Sequence, residues 1–137
     1  MTNRERLIRE YFDTWLKKDG RKLSDIFSPD IVYSECYGPV YRGIHQIKRW
    51  FHEWNEQGTV LCWDIHRFLT SGENVVVEWT FACEYKGKAD SFDGVSVIDF
   101  DSTGKIAVLK EFQSTLPHYD FYKESRNTLT AKKNPGE

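Results

Sequence analysis

The sequence predicts an α+β fold: a strongly curved antiparallel (mixed) sheet forms a half-cone, and three N-terminal helices pack on its concave side. Two observations carry the prediction. Apolar residues recur with helical period up to residue 57, and from residue 59 onward they alternate with a period of two. The alternating runs are separated by short turn signals, so consecutive strands pair antiparallel. A twisted sheet covered by helices on one face closes into a cone, and such a cone leaves room for a pocket.

In chain order, Leu7, Ile8, Tyr11, Phe12, Trp15 and Leu16 form the apolar stripe of an amphipathic helix, with Arg4, Arg6, Arg9, Glu10, Asp13 and Lys17 on its other faces. Thr2 and Glu5 have the spacing of a capping box, and Asp19-Gly20 supplies the stop. Leu23, Ile26 and Phe27 give a short second helix that Ser28-Pro29-Asp30 ends, because proline cannot continue the backbone ladder. A strand is expected over 31–36, broken by Gly38-Pro39. After Gly43, the residues Ile44, Ile47, Trp50, Phe51 and Trp54 repeat with helical spacing until Gly58.

The period then changes. Leu61, Trp63 and Ile65 alternate with Cys62, Asp64 and His66, as a half-buried strand requires. Ser71-Gly72-Glu73-Asn74 turns the chain into the cleanest alternation, with Val75, Val77, Trp79, Phe81, Cys83 and Tyr85 on one face. Lys86-Gly87-Lys88 reads as a hairpin turn, 91–100 as a strand, Asp101-Ser102-Thr103-Gly104 as another turn and 105–115 as the last strand.

With 137 residues, the chain is long enough for one core without metal or disulfide staples. One domain is expected over 1–122, followed by a polar, flexible tail over 123–137 that buries too little to order itself. The 19 Lys and Arg against 21 Asp and Glu leave no basic footprint, which excludes nucleic acid as a partner. No apolar run approaches the length of a membrane span, and MTNRERL has no signal-peptide character, so a soluble cytoplasmic protein is expected. Cys36, Cys62 and Cys83 lack CxxC spacing and read as buried free thiols. The histidines lack HxxxH or HxH spacing, and GxGxxG, P-loop and GxSxG patterns are missing, so neither metal nor cofactor is expected.

Six segments resemble one family: YFDTWLKKDG, IFSPDIVYSECYG, YRGIHQIKRWF, VVVEWTFACEYKGK, DGVSVIDFDSTGKI and LKEFQST. Over about residues 3–120 the chain is similar to SnoaL-like members of the nuclear transport factor 2-like superfamily. That superfamily contains ketosteroid isomerases, scytalone dehydratases, limonene epoxide hydrolases and catalytically silent binding domains. The resemblance implies the cone fold and a homodimer through the outer sheet face. It does not fix the chemistry, because one cone serves many functions.

Glu35 is the leading candidate for chemistry. On a strand it shares a face with Ile31 and Tyr33, and desolvation there raises a carboxyl toward the range of a base usable near neutral pH. The bland reading pairs it with Arg42 at the strand end. The resemblance places Glu35 at the catalytic aspartate of ketosteroid isomerases. It places Tyr11 where those enzymes keep a phenol that donates to the developing enolate oxygen. Otherwise Tyr11 is a core tyrosine whose hydroxyl reaches a neighbour. Ser96 falls where those isomerases hold a neutral carboxylic acid, and it is a shorter, weaker donor.

The last strand stays open by alternation. Ala107, Leu109, Glu111 and Gln113 form one face, and Ile106, Val108 and Phe112 an equally apolar other. The resemblance favours Leu109 and Glu111 inside, where Glu111 and Glu35 would share a proton or a water. Trp15, Trp50, Trp54, Trp63 and Trp79 are expected as core and pocket wall, Tyr33, Phe81 and Leu109 as further ligand contacts, and His118 as an acid or base over the mouth. The expected function is cofactor-independent acid–base chemistry of isomerase, cyclase or dehydratase type on a small apolar carbonyl compound. The alternative is a non-catalytic ligand-binding or dimerising module, and a hydrolase-like reading needs a water activated between the two glutamates.

Overall fold

The first helix, α1 (Asn3–Lys17), starts as its sequence predicts: Thr2 Oγ1 accepts from the Glu5 amide at 3.1 Å and Glu5 Oε1 accepts from the Thr2 amide at 3.3 Å. In this computed structural model, which describes residues 1–123, the last helical residue of α1 is Lys17, two residues before Asp19 of the expected Asp19-Gly20 stop. Lys18 takes the left-handed conformation at φ 52° and returns its amide to the carbonyls of Thr14 and Trp15. Ile8, Tyr11, Phe12 and Trp15 are buried, whereas Leu16, expected on the same stripe, lies at its edge and is 39% exposed.

Helix α2 (Leu23–Ile26) leads directly into β1 (Phe27–Ser34), so the strand begins and ends earlier than expected. Pro29 does not precede the strand. It sits inside it, within the register irregularity between Phe27 and Val32, where a residue without an amide proton is tolerated. A short strand that the sequence did not announce, β2 (Val40–Arg42), pairs antiparallel with β1. Helix α3 (Ile44–Gln57) then buries Ile47 and Phe51.

The remaining strands, β3 (Gly58–Ser71), β4 (Asn74–Tyr85), β5 (Lys88–Phe100) and β6 (Ile106–Thr115), form an antiparallel meander. The sheet order is β2-β1-β6-β5-β4-β3, and β1 joins β6 in parallel, so the six-stranded sheet is mixed. The β4–β5 hairpin turns on Lys86 and Gly87, both at positive φ (49° and 81°), the pattern of a two-residue turn whose twist matches the strands.

Strand β3 departs from strict alternation. The pairing with β4 skips between Val60 and Cys62, which leaves Leu61 59% exposed and hands the inward phase from Val60 to Trp63. A second skip between Ile65 and Arg67 brings Phe68 opposite Val77. Each bulge adds twist and bends the strand, and together they curl this side of the sheet over α1. Phe12 stacks on Trp63 there at 3.8 Å between ring centres. The thiols are free, with Cys83 buried and Cys36 and Cys62 half-buried. Among the described residues no helix is long and apolar enough to cross a membrane. Apart from Lys123, the expected tail over 123–137 lies outside the described residues.

Candidate functional site

The helices do not fill the concave side of the sheet. Between α3 and strands β1 and β3–β6 lies a cavity of about 840 Å³. Its walls are aromatic, with Trp15 from α1, Trp50 and Trp54 from α3, Trp63 from β3, and Trp79 and Phe81 from β4. The rings brace one another. Trp50 stacks on Tyr41 at 4.3 Å, Trp54 stacks on Tyr85 at 5.2 Å, and Trp15 meets Trp50 at 4.9 Å and Trp54 at 5.4 Å.

Glu35 lines this cavity, although it is not on the strand. It opens a tight turn after β1: its amide donates to the Pro39 carbonyl at 2.9 Å, and its carbonyl accepts from the Gly38 amide at 3.0 Å. The turn holds the side chain against the ring-lined wall. Its partner is Tyr41, whose hydroxyl donates to Oε1 at 3.3 Å, and not Arg42. Burial pushes the carboxyl up to about 7, and the Tyr41 bond offsets only part of that rise.

Glu111 reaches the same cavity from β6, with Leu109 buried behind it in the same inward phase. A one-residue bulge sets that phase, since Phe100 pairs with Ile106 and Asp99 with Val108, so that Ile106 and Leu109 both face the core. A directed relay ends on Glu111. Trp15 Nε1 donates to the Tyr11 hydroxyl at 3.0 Å, Tyr11 donates to the Tyr33 hydroxyl at 2.7 Å, and Tyr33 donates to Glu111 Oε2. The Cys36 amide donates to Oε1 at 3.4 Å. Burial, with a further push from the nearby Glu35 charge, still raises this carboxyl to about 7 against the lowering by its donors. Burial first, and the Glu111 charge next, hold the phenols of Tyr11 and Tyr33 well above the usual tyrosine range, so both remain proton donors.

The structure therefore brings together Glu35, Glu111, Tyr33, Trp15, Trp54, Trp63, Trp79 and Phe81. Four expected site residues lie elsewhere. Tyr11 stands one layer behind the wall with its hydrogen committed to Tyr33, so it reaches a pocket ligand only through that neighbour. Ser96 is fully buried and its hydroxyl accepts from Trp79 Nε1 at 2.9 Å, which fixes the indole and leaves the cavity untouched. Leu109 is core. His118 does not overhang the mouth. It bonds Asp93 Oδ2 at 3.1 Å, beside a separate depression shared with His66, Thr80's partner across the sheet at 2.7 Å.

Sequence reasoning missed Tyr41, the donor to Glu35, and Tyr37, whose hydroxyl donates to Asp90 Oδ2 at 2.7 Å across the cavity edge. Both belong to the turn and short strand after β1, too brief to show a period. Their only signal was a run of tyrosines around Gly38-Pro39 beside a glutamate. Among the described residues no group of three or more His, Cys, Asp or Glu is placed to hold a metal ion.

Solved structures share this architecture. An LEH-like epoxide hydrolase from M. tuberculosis aligns at TM-score 0.72 with 20% identity, covering 93% of this chain and 92% of that one. A hypothetical protein with a ketosteroid isomerase-like fold from Catenulispora acidiphila, in complex with trimethylamine, aligns at 0.70 with 17% identity, covering 80% and 85%. A candidate SnoaL-like polyketide cyclase from Shewanella denitrificans aligns at 0.70 with 18% identity, covering 96% and 100%. At such identities the likeness speaks for fold alone, and no curated protein matches the sequence. A family model described as a SnoaL-like domain matches residues 8–109, which span the helices, the cavity walls and most of the sheet, and the chain belongs to that family.

Proposed function

We propose that the cavity is the active site of a cofactor-independent enzyme of isomerase, cyclase or dehydratase type, acting by general acid–base catalysis on a small, largely apolar carbonyl compound. One observation carries this reading: Glu35 lies among rings with a single long hydrogen bond and a carboxyl raised to about 7. A base serves best when its pKa lies near the working pH, because it is then both ionised and strong enough to take a proton.

In the proposed step an ionised Glu35 oxygen removes a proton from the carbon next to the substrate carbonyl. The C–H electrons move into the enolate, and Glu35 returns the proton at another carbon or to a leaving hydroxyl. Tyr41, already beside Glu35, is the phenol proposed to meet the developing oxyanion, and Tyr33, its cross-strand partner, and Glu111 stand on the same side of the cavity. Solved cones named for epoxide hydrolysis, polyketide cyclisation and a trimethylamine complex support reading such a cavity as a place for small organic molecules.

The test works whatever the final product is. A panel of ketones and aldehydes is incubated with the protein in D2O and deuterium at the α-carbon is followed by NMR. Exchange with the native chain, lost in Glu35→Gln while the far-ultraviolet spectrum is unchanged, is the expected result. Equal exchange by Glu35→Gln overturns the assignment.

A second reading, a non-catalytic ligand-binding module, is favoured by the internal use of Tyr11 and Ser96, which removes two expected oxyanion donors from the pocket. Saturable quenching of tryptophan fluorescence by ligands that undergo no exchange supports it. The homodimer through the outer sheet face belongs to the same proposal, and sedimentation equilibrium of the full chain tests it.

A further inference from the structure

Neither glutamate of the cavity is matched by a positive charge. Among the described residues neither Glu35 nor Glu111 has an ion-pair partner; every pair lies elsewhere. Two cations, Arg49 and Lys88, stand among the lining residues, and neither pairs with Glu35 or Glu111. Arg49 bonds Glu53 at 3.1 Å, with 79% of its side chain exposed, and Lys88 is exposed at the start of β5. Every polar partner of the two carboxylates is a neutral donor, namely Tyr41 for Glu35, and Tyr33 and the Cys36 amide for Glu111. Buried carboxylates are ordinarily paired, so an unpaired one gains from a cation placed beside it in the cavity.

The walls match the same occupant. Trp50, Trp54, Phe81, Tyr41 and Tyr85 are only partly buried although they line the cavity, so ring surface remains open to its contents. The negative ring faces attract a cation, and the attraction strengthens when water is excluded. A neutral apolar ligand would satisfy the rings and leave the carboxylates unmatched.

We propose that the ligand of this cavity carries an organic ammonium group, held against Glu111 by the aromatic wall. The inference rests on the substrate-site reading above and narrows it to carbonyl compounds whose apolar body bears a basic amine. The two glutamates then divide the work. Glu111, tied by the relay from α1 and by the Cys36 amide, is the fixed anchor for the cation. Glu35, with one long bond to Tyr41, remains free to move a proton.

An isosteric pair tests this with the full chain: choline, and 3,3-dimethylbutan-1-ol, in which carbon replaces the charged nitrogen. Both are titrated by NMR and calorimetry. The expected result is binding of choline about tenfold or more tighter than the alcohol. Glu111→Gln, with a native-like near-ultraviolet spectrum reporting an intact cavity, should erase that preference. If Glu111→Gln does not fold, Glu35→Gln serves as second variant and should reduce the preference in part. Equal or weaker binding of choline, binding of neither compound, or a full preference surviving in both variants overturns the proposal. The outcomes separate from the catalytic test: deuterium exchange lost in Glu35→Gln without any preference for choline overturns the ammonium inference alone, and a Glu111-dependent preference without exchange overturns the acid–base reading alone.

Discussion

Replacing Glu35 by glutamine should make the folded protein more stable at alkaline pH relative to the native chain. Glu35 has its carboxyl raised from 4.5 to about 7 by burial, so the folded state prefers the neutral form. The sign is opposite to that of a salt-bridged carboxylate. Between those two values the native state binds more protons than the unfolded chain, and stability therefore falls as pH rises through the window. At about 1.4 kcal/mol per pH unit, the native chain should lose about 2–3 kcal/mol through Glu35 between about pH 5 and about pH 8, allowing for the water that reaches the cavity. Glutamine occupies the same volume and does not titrate. The difference in unfolding free energy between the variant and the native chain should thus move in favour of the variant by that amount over the same window. Removing the Glu35 charge also relieves Glu111, whose carboxyl it pushes up, so part of the second titration disappears with the first. The assay is urea denaturation followed by tryptophan fluorescence at both pH values, with the double difference cancelling any pH-independent effect of the substitution. A flat double difference would mean that Glu35 titrates as it does in water, and the acid–base proposal would lose its base.

Tyr33→Phe removes the donor to Glu111 Oε2 and the acceptor of the Tyr11 hydroxyl, so it should destabilise the fold by about 1–3 kcal/mol and raise the Glu111 carboxyl further, readable by carbon-13 titration of that side chain. In Ser96→Ala, Trp79 Nε1 is left without an acceptor in the core, with an expected loss of about 1–2 kcal/mol by urea denaturation and unchanged deuterium exchange; a large loss of exchange would return Ser96 to the active site. Gly94→Ala is the steric counterpart, because a Cβ there would clash with both the Trp79 ring and the Phe112 carbonyl. A melting shift equivalent to about 1–3 kcal/mol and altered tryptophan emission are expected, and a variant as stable as the native chain would contradict the packing of Trp79 over β5.

How far the sequence reached depended on how many residues a feature occupies. The capping box of α1, the apolar stripe of α3 and the alternation of β4 each repeat a local rule several times, and all three are present in the structure. The bulges at Leu61 and near Ala107 are single-residue events that invert a face, so alternation misplaced Leu61 and left Glu111 undecided. Pro29 suits the end of a helix as well as the irregularity within β1 where it sits, because the same missing amide serves both situations. At the site, Glu35 and the tryptophan walls were legible from residue type, but the partners were not. That Tyr11 donates to Tyr33 and not to the pocket, or that Ser96 holds an indole, depends on hydrogen bonds between residues 22 and 17 positions apart. The same holds for His118, which looks free to cover the cavity until Asp93 claims it.

The two carboxylates work against the stability of the fold that holds them. Burial raises both carboxyls to about 7, and their donors are phenols and a backbone amide that supply no countercharge. Hydrophobic packing alone gives no reason for this arrangement, because glutamine at position 35 would accept the Tyr41 hydrogen bond without the ionisation penalty. Nor is the relay from Trp15 through Tyr11 and Tyr33 needed for bulk, since Phe would fill the same ring positions. What the relay does is orient one acid and keep its donors fixed before any charge appears, while the other is left with a single long bond. A fixed acid beside a loosely bonded one suits the division of roles proposed above, in which Glu35 moves the proton and Glu111 holds its place.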